Sequence, residues 1–321
     1  MNHSVLISVV APVYNEAPLL EEFTKRTTAA LSEWPFELIF VNDGSQDASW
    51  SVLQALGQKD ARVKSICFSR NFGHQAAICA GLEHAKGNAV IIIDADLQDP
   101  PELMPEMLRK WQEGFDVVYG VRSERKGESA FKKWTATAFY RLFRRMSNMS
   151  APVEAGDYRL LSRPVVDVLK QMPERVRFLR GLVSWVGFRQ TGITYSREKR
   201  FAGTSKYPLF RMLRFALDGF TSFSSAPLQL AIYLGLFVTL IAFLIGCYSL
   251  YIRLFTDTAV KGWTSLLTVM VFLGGIQLIM FGVIGEYIGR IYEEVKRRPL
   301  YLVQDKIGFE ERVLEGERKK P

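Results

Sequence analysis

The stretch Val90–Glu102 reads VIIIDADLQDPPE, an apolar run that stops abruptly at Asp94, Asp96 and Asp99. A short run of Val and Ile closed by a turn signal is a buried strand, of the parallel kind. Asp94 and Asp96 then fall just past its carboxyl end, where open α/β sheets bind their ligands. Two carboxylates at such a place can hold a hard divalent cation, Mg²⁺ or Mn²⁺, whose other ligands are waters and substrate phosphates. An isolated Asp-X-Asp is more often a solvated turn. Here the strand context and the rest of the chain weigh against that reading.

Two more polar clusters follow apolar runs: Pro12-Val13-Tyr14-Asn15-Glu16 and Val41-Asn42-Asp43-Gly44-Ser45. Asp43 can accept from the ring N–H of a uracil, and Glu16 can bond a ribose hydroxyl. Either cluster alone is a turn with a helix cap. Taken with Asp94 and Asp96, they put acids at three strand ends on one edge of a sheet, which makes coincidence a poor account.

The elements that must position these acids alternate. Strands are expected at Ser4–Ala11, Phe36–Val41, Val63–Phe68, Ala89–Ile93 and Asp116–Tyr119. Between them, Leu19–Leu31, Ala48–Gln58, Gly73–Ala85 and Pro101–Trp111 carry helical spacing. Strand–helix alternation of this kind predicts a doubly wound, mostly parallel sheet. At 321 residues the chain can bury a real core, and its net charge of +8 points to an anionic partner. The modules that read base edges are not evident, so lipid or phosphate is favoured over nucleic acid. Cys67, Cys79 and Cys247 lie far apart in apolar settings and read as reduced packing residues. Val5–Val10 is too short for a signal-peptide core and runs into Pro12, so the soluble part is expected in the cytoplasm.

Leu228–Leu250 carries no charge, and Thr264–Gly285 has Gln277 as its one strongly polar side chain. Each run is long enough to cross a hydrocarbon core of about 30 Å. The short link Tyr251–Trp263 makes them a hairpin. Arg211, Arg214, Arg290, Lys296, Arg297 and Arg298 flank its outer ends, against Arg253 and Lys261 in the link. The positive-inside rule then puts both termini in the cytoplasm. Phe131–Met146 and Tyr207–Phe223 are basic and amphipathic, as expected of helices in the headgroup plane.

In order and spacing, PVYNE, VNDGS, SRNFGHQAA and DADLQDPPE resemble the family 2 glycosyltransferases of the GT-A fold. YGVR (119–122), AGDYRLLSR (155–163), KRFAGTSKY (199–207) and the membrane hairpin narrow the match to polyisoprenyl-phosphate glycosyltransferases. The chain is most similar to the bactoprenol glucosyltransferases of the GtrB type. That resemblance implies a GT-A domain over residues 1–205, an amphipathic segment over 206–226, a hairpin over 227–290 and a cytoplasmic tail over 291–321. It implies a uracil-binding Asp43, with Pro12, Tyr14 and Glu16 completing the nucleoside pocket. Asp94 and Asp96 would serve the diphosphate and metal, with Gln98 nearby. Asp157 matches a position assigned to catalysis or acceptor placement, and Arg122, Arg200 and Lys206 match cations suited to the acceptor phosphate.

The implied reaction is inverting transfer of one hexose, glucose from UDP-glucose, to undecaprenyl phosphate, by a homo-oligomer in the bacterial inner membrane. The polymer-extending Gln-X-X-Arg-Trp motif is absent. Mannose, GlcNAc or aminoarabinose is the alternative sugar. A receiver-like signalling module or a nucleotide-sugar sensor without turnover is the alternative class. His74 is placed to touch the substrate or to pack at a helix start, and packing is the favoured reading. Arg70 either assists the nucleotide phosphates or pairs with a nearby acid.

Overall fold

β1 (Ile7–Val13), β2 (Phe36–Asn42) and β4 (Ala89–Ile92) are buried at every position, which is why they read in sequence as unbroken apolar runs. With β3 (Val63–Phe68) they form the parallel heart of an eight-stranded sheet that also holds β5 (Val117–Arg122), β6 (Ala155–Ser162), β7 (Gln190–Tyr195) and β8 (Val303–Ile307), in the order β7-β5-β6-β4-β1-β2-β3-β8. The computed structural model describes residues 5–122, 155–172, 174, 179–195, 226–255 and 262–309. β1 pairs in parallel with β2 on one side and with β4 on the other. The chain therefore leaves β1 in one direction and later returns to its other flank. That reversal opens a crevice at the carboxyl ends of β1 and β4, and it sets where a ligand can sit.

Helices cover this core with single apolar stripes. α1 (Leu20–Ala30) buries Leu20 and Phe23, and α2 (Ser49–Lys59) buries Leu53. α4 (Met104–Gln112) buries Met104, Met107 and Leu108. α3 (His74–His84) is the exception, with every residue from Ala76 to Leu82 buried. It lies so close to β1 that a Cβ on Gly81 would come within 2.1 Å of the Val10 side chain.

The far side of the sheet departs from simple alternation. β6 (Ala155–Ser162) runs antiparallel between β4 and β5 (Val117–Arg122). β7 (Gln190–Tyr195) pairs in parallel with β5. α5 (Arg163–Gln171) and α6 (Leu179–Trp185) lie between β6 and β7 in sequence. β6 carries the AGDYRLLS motif, so Asp157 is a strand residue.

α7 (Ala226–Phe255) and α8 (Trp263–Lys296) form a separate unit. Leu236, Phe237, Phe243 and Leu244 on α7 and Phe272, Leu278, Ile279 and Phe281 on α8 are all exposed. Phe272–Lys296 is long and apolar enough to span a membrane, and its most apolar stretch is 0% buried within the chain. In a water-soluble protein a continuous apolar surface of this size would drive association. The two helices are the hairpin expected at 228–250 and 264–285, extended at both ends. The basic amphipathic segments 131–146 and 207–223 lie outside the described residues.

One boundary is corrected. Residues 291–321 were expected as a tail, but α8 continues to Lys296, and β8 (Val303–Ile307) pairs antiparallel with β3. β3 would otherwise be an open edge of the sheet, and β8 covers it. Tyr301 stacks on Phe68 at 4.8 Å and its hydroxyl donates to Glu83. The unit that holds the sheet is thus discontinuous in sequence.

Candidate active site

The loops after β1 and β2 are laced together. Asn15 N–H donates to Ser45 Oγ at 3.0 Å, and Asn15 Oδ1 accepts from Gln46 N–H at 2.8 Å. Glu16 N–H reaches Ser49 Oγ at 3.1 Å, and Ala17 N–H reaches Asp47 Oδ2 at 3.2 Å. Asn15 holds a left-handed φ of 57°, which Asn tolerates because its side chain bonds locally. Pro12 is buried in β1, Tyr14 is exposed, and Glu16 lies half-buried.

Asp43 sits at the end of β2, almost fully buried. Its Oδ1 accepts from Phe72 N–H at 2.7 Å and its Oδ2 from Gly73 N–H at 2.9 Å. Burial pushes its carboxyl above the usual range, while these two backbone donors pull the other way. Asp43 therefore shapes the SRNFGH loop, whatever else it binds. Gly44 follows at φ +66°, and a Cβ there would lie 2.5 Å from the backbone of Arg70. Only glycine lets the two loops approach so closely.

The acids after β4 are arranged otherwise. Asp96 Oδ1 accepts from Gln98 N–H at 3.0 Å, closing a turn in which Leu97 takes a left-handed φ of 56°. Asp94 Oδ1 is sealed from solvent and takes no hydrogen bond from any described residue. Burial pushes the Asp94 carboxyl up to about 6, against the pull of His74 and with the push of Asp157, Asp96 and Asp99. Such a crowd of like charges is what a divalent cation would relieve. Among the described residues no three His, Cys, Asp or Glu side chains gather as a closed metal cage. A two-carboxylate site that leaves the other ligand positions to water and phosphate matches the habits of Mg²⁺. The donor set fits the cation.

His74, at the first position of α3, bridges the two acids that matter most. Its Nε2 is 3.5 Å from Asp94 Oδ1 and 3.5 Å from Asp157 Oδ2. Burial opposes its charge, but the bond to Asp157 and the fields of Asp94 and Asp157 outweigh it, so its pKa is raised. Asp157 is gripped at both oxygens: Arg180 Nε donates to Oδ1 at 2.8 Å and Arg180 Nη2 to Oδ2 at 3.0 Å. Burial resists ionisation of Asp157, but His74, Arg180 and Arg159 override it and hold its carboxyl far below the usual range. Asp99 is a pillar instead, accepting from the Tyr195 hydroxyl, while the Tyr158 hydroxyl donates to Pro100 O at 3.0 Å.

The fold thus gathers Asp94, Asp96, Gln98 and Asp157 at one end of the sheet, with Asp43 and Glu16 along the same edge. Arg200, Lys206 and the Arg122 side chain lie outside the described residues, although the Arg122 backbone ends β5. His74 was expected as a packing residue and instead joins Asp94 to Asp157. Arg180 had no motif to announce it, and Arg159 lies within AGDYRLLSR but drew no role from it.

Residues 8–169 match the profile described as glycosyl transferase family 2. The chain belongs to glycosyltransferase family 2. Within it, residues 226–291 match the GtrB C-terminal hairpin, so α7 and α8 are that hairpin. This family 2 enzyme is 50% identical to an uncharacterized glycosyltransferase, YkcC, of Bacillus subtilis (strain 168), over 98% of each chain. It is 45% identical to the bactoprenol glucosyl transferase of Shigella phage SfII, over 93% of this chain and 97% of that one. It is 44% identical to a prophage bactoprenol glucosyl transferase homolog of Escherichia coli (strain K12), over 93% and 98%.

Proposed function

We propose that this glycosyltransferase moves one glucose from UDP-glucose to undecaprenyl phosphate with inversion, leaving a prenyl-phosphate-linked sugar and UDP. The observation that carries the reading is the buried, unbonded oxygen of Asp94 beside a carboxylate, Asp157, that is pinned in its charged form. The likeness to bactoprenol glucosyl transferases along nearly the whole chain supports the choice of sugar and acceptor.

Asp43 would meet the uracil, with Pro12, Tyr14 and Glu16 around the nucleoside. Asp94 and Asp96 would hold Mg²⁺ or Mn²⁺ against the diphosphate, with Gln98 beside them. Such a cation, when bound, offsets the charge that develops on the departing diphosphate. Asp157 is a poor proton acceptor, because both its oxygens already serve Arg180. No strong base is needed, since a lipid phosphate is largely ionised at neutral pH. Asp157 would instead orient sugar or acceptor, while Arg122, Arg200 and Lys206 aim the anionic nucleophile.

We place the catalytic unit and both termini on the cytoplasmic face of the bacterial inner membrane, in a homo-oligomer. The cation bias about the hairpin supports the first assignment. For the second, Cβ atoms added at Gly274 and Gly275 would meet nothing within 4 Å among the described residues, which leaves room for a neighbouring helix. The test is UDP release from radiolabelled donors by the purified enzyme in detergent. The expected result is release that requires undecaprenyl phosphate and favours UDP-glucose over UDP-GlcNAc, GDP-mannose and UDP-aminoarabinose. Acceptor-independent binding with no turnover would contradict the proposal.

A further inference from the structure

Three segments distant in sequence converge on Asp157. β6 supplies the carboxylate itself, α3 supplies His74, and α6 supplies Arg180. The position of α6 is fixed from both ends. Its first residue, Leu179, donates its N–H to Gln75 Oε1 at 3.2 Å, beside His74 on α3. Farther along, Val183 O accepts from Gln190 Nε2 at 2.9 Å, at the start of β7. Leu179, Leu182 and Val183 are buried beneath it. Arg180 therefore projects from a backbone that has little freedom.

The two arginines near Asp157 do different work. Arg159 comes no nearer than 3.9 Å, and its Nη2 is already spent on Gly156 O at 2.8 Å. It contributes charge without fixing direction. Arg180 alone gives Asp157 a fork, with two nitrogens on two oxygens. The final torsion of an aspartate is broad and roughly two-fold, so an unclamped carboxylate has no defined plane. A planar guanidinium defines it, and a lysine, which acts as a point charge, does not.

We propose that Arg180 is a positioning residue for glycosyl transfer, setting the plane in which Asp157 meets its substrate. This rests on the functional reading above and adds to it a residue that acts through Asp157. The roles separate in a double-mutant cycle on the full-length enzyme, using R180K, R180Q, D157N and the D157N/R180Q pair. R180K keeps the charge but loses the fork, so kcat falls about tenfold or more, while UDP-glucose KM and UDP affinity by calorimetry stay within about twofold. The pair is no slower than D157N alone, within about threefold, because the carboxylate whose plane Arg180 sets is already gone.

If R180Q does not fold, the cycle is run with R180K, which as a single variant keeps a cation beside Asp157. R180K at wild-type kcat, a pair whose losses multiply, or a loss confined to donor KM would each overturn the proposal. Failure of the functional reading shows in the wild-type enzyme, and failure of this proposal shows only in the variants. A wild type silent with every donor overturns both.

Discussion

The edge of the sheet at the carboxyl ends of β1, β2 and β4 has two halves of opposite character. After β1 and β2, side chains and backbone answer one another: Asn15 with Ser45 and Gln46, Glu16 with Ser49, and Asp43 with Phe72 and Gly73. After β4, Asp94 lies among like charges, and its buried Oδ1 takes no hydrogen bond from any described residue and faces the His74 ring at 3.5 Å. These bonds tie the first half into a frame, as a nucleoside pocket requires. The second half carries a crowded carboxylate that its contact with His74 only partly offsets, and such groups concentrate at functional sites. Asp157 marks the contrast within the second half itself, since three cationic side chains hold it ionised while Asp94 is driven toward neutrality.

The strongest way to break this comparison is Asp94→Asn. Removing one of two carboxylates should lower glucosyl transfer by about a thousandfold, in keeping with the several kcal/mol a catalytic cation supplies. The same change relieves crowding, so the metal-free unfolding temperature should hold or rise by a few degrees. Loss of activity together with a large loss of stability would mean that Asp94 is part of the frame.

Next comes Asp43→Ala, which strips the frame of its central acceptor. A hydrogen bond to a charged group is worth about 1.5–3 kcal/mol, so donor KM should rise roughly ten- to a hundredfold. Thermal stability should fall as well, because the N–H groups of Phe72 and Gly73 lose their partner. Unchanged UDP affinity by calorimetry would remove Asp43 from the nucleoside pocket.

A smaller effect separates the halves by pH. The folded pKa of Asp94 is raised to about 6, so between its ordinary value near 4 and pH 6 the folded state binds more protons than the unfolded state. Stability from this group is therefore greatest below that window and declines as pH rises through it, by about 1–2 kcal/mol given partial exposure. Asp157 works in the opposite sense, contributing stability above its ordinary pKa that is lost only on strong acidification. Thermal melts between pH 4 and 7 should show the decline in wild type and a flatter curve in Asp94→Asn. Mn²⁺ should reverse the decline. The smallest expected effect is at Tyr301→Phe, remote from both halves. It removes the bond to Glu83 but keeps the stack on Phe68, so stability should drop by about 1 kcal/mol or less with transfer unchanged.

The parallel heart of the fold was legible because β1, β2 and β4 are buried on both faces and leave continuous apolar runs in the sequence. The acids were legible for the same reason, as they are what breaks those runs. β6 was not, since AGDYRLLS mixes charged and apolar residues and stood out as a motif before it could be read as a strand. β8 was hidden because VQDKI is short and polar, and it is a strand only through β3, more than two hundred residues earlier. His74 and Arg180 owe their roles to contacts with Asp157 across the fold, and no local pattern encodes those. Sequence periodicity reports burial, whereas partnership between distant charges appears only in three dimensions.

The central claim is that the acid half is incomplete until a divalent cation joins it and that the frame half is not. UDP titrated into wild-type enzyme by calorimetry at pH 7, once with Mn²⁺ and once in excess EDTA, tests it most directly. The account predicts UDP affinity about a hundredfold or more tighter with the cation, with residual nucleoside binding in EDTA that Asp43→Ala abolishes. Equal affinity in both conditions, with full transfer in EDTA, would contradict it.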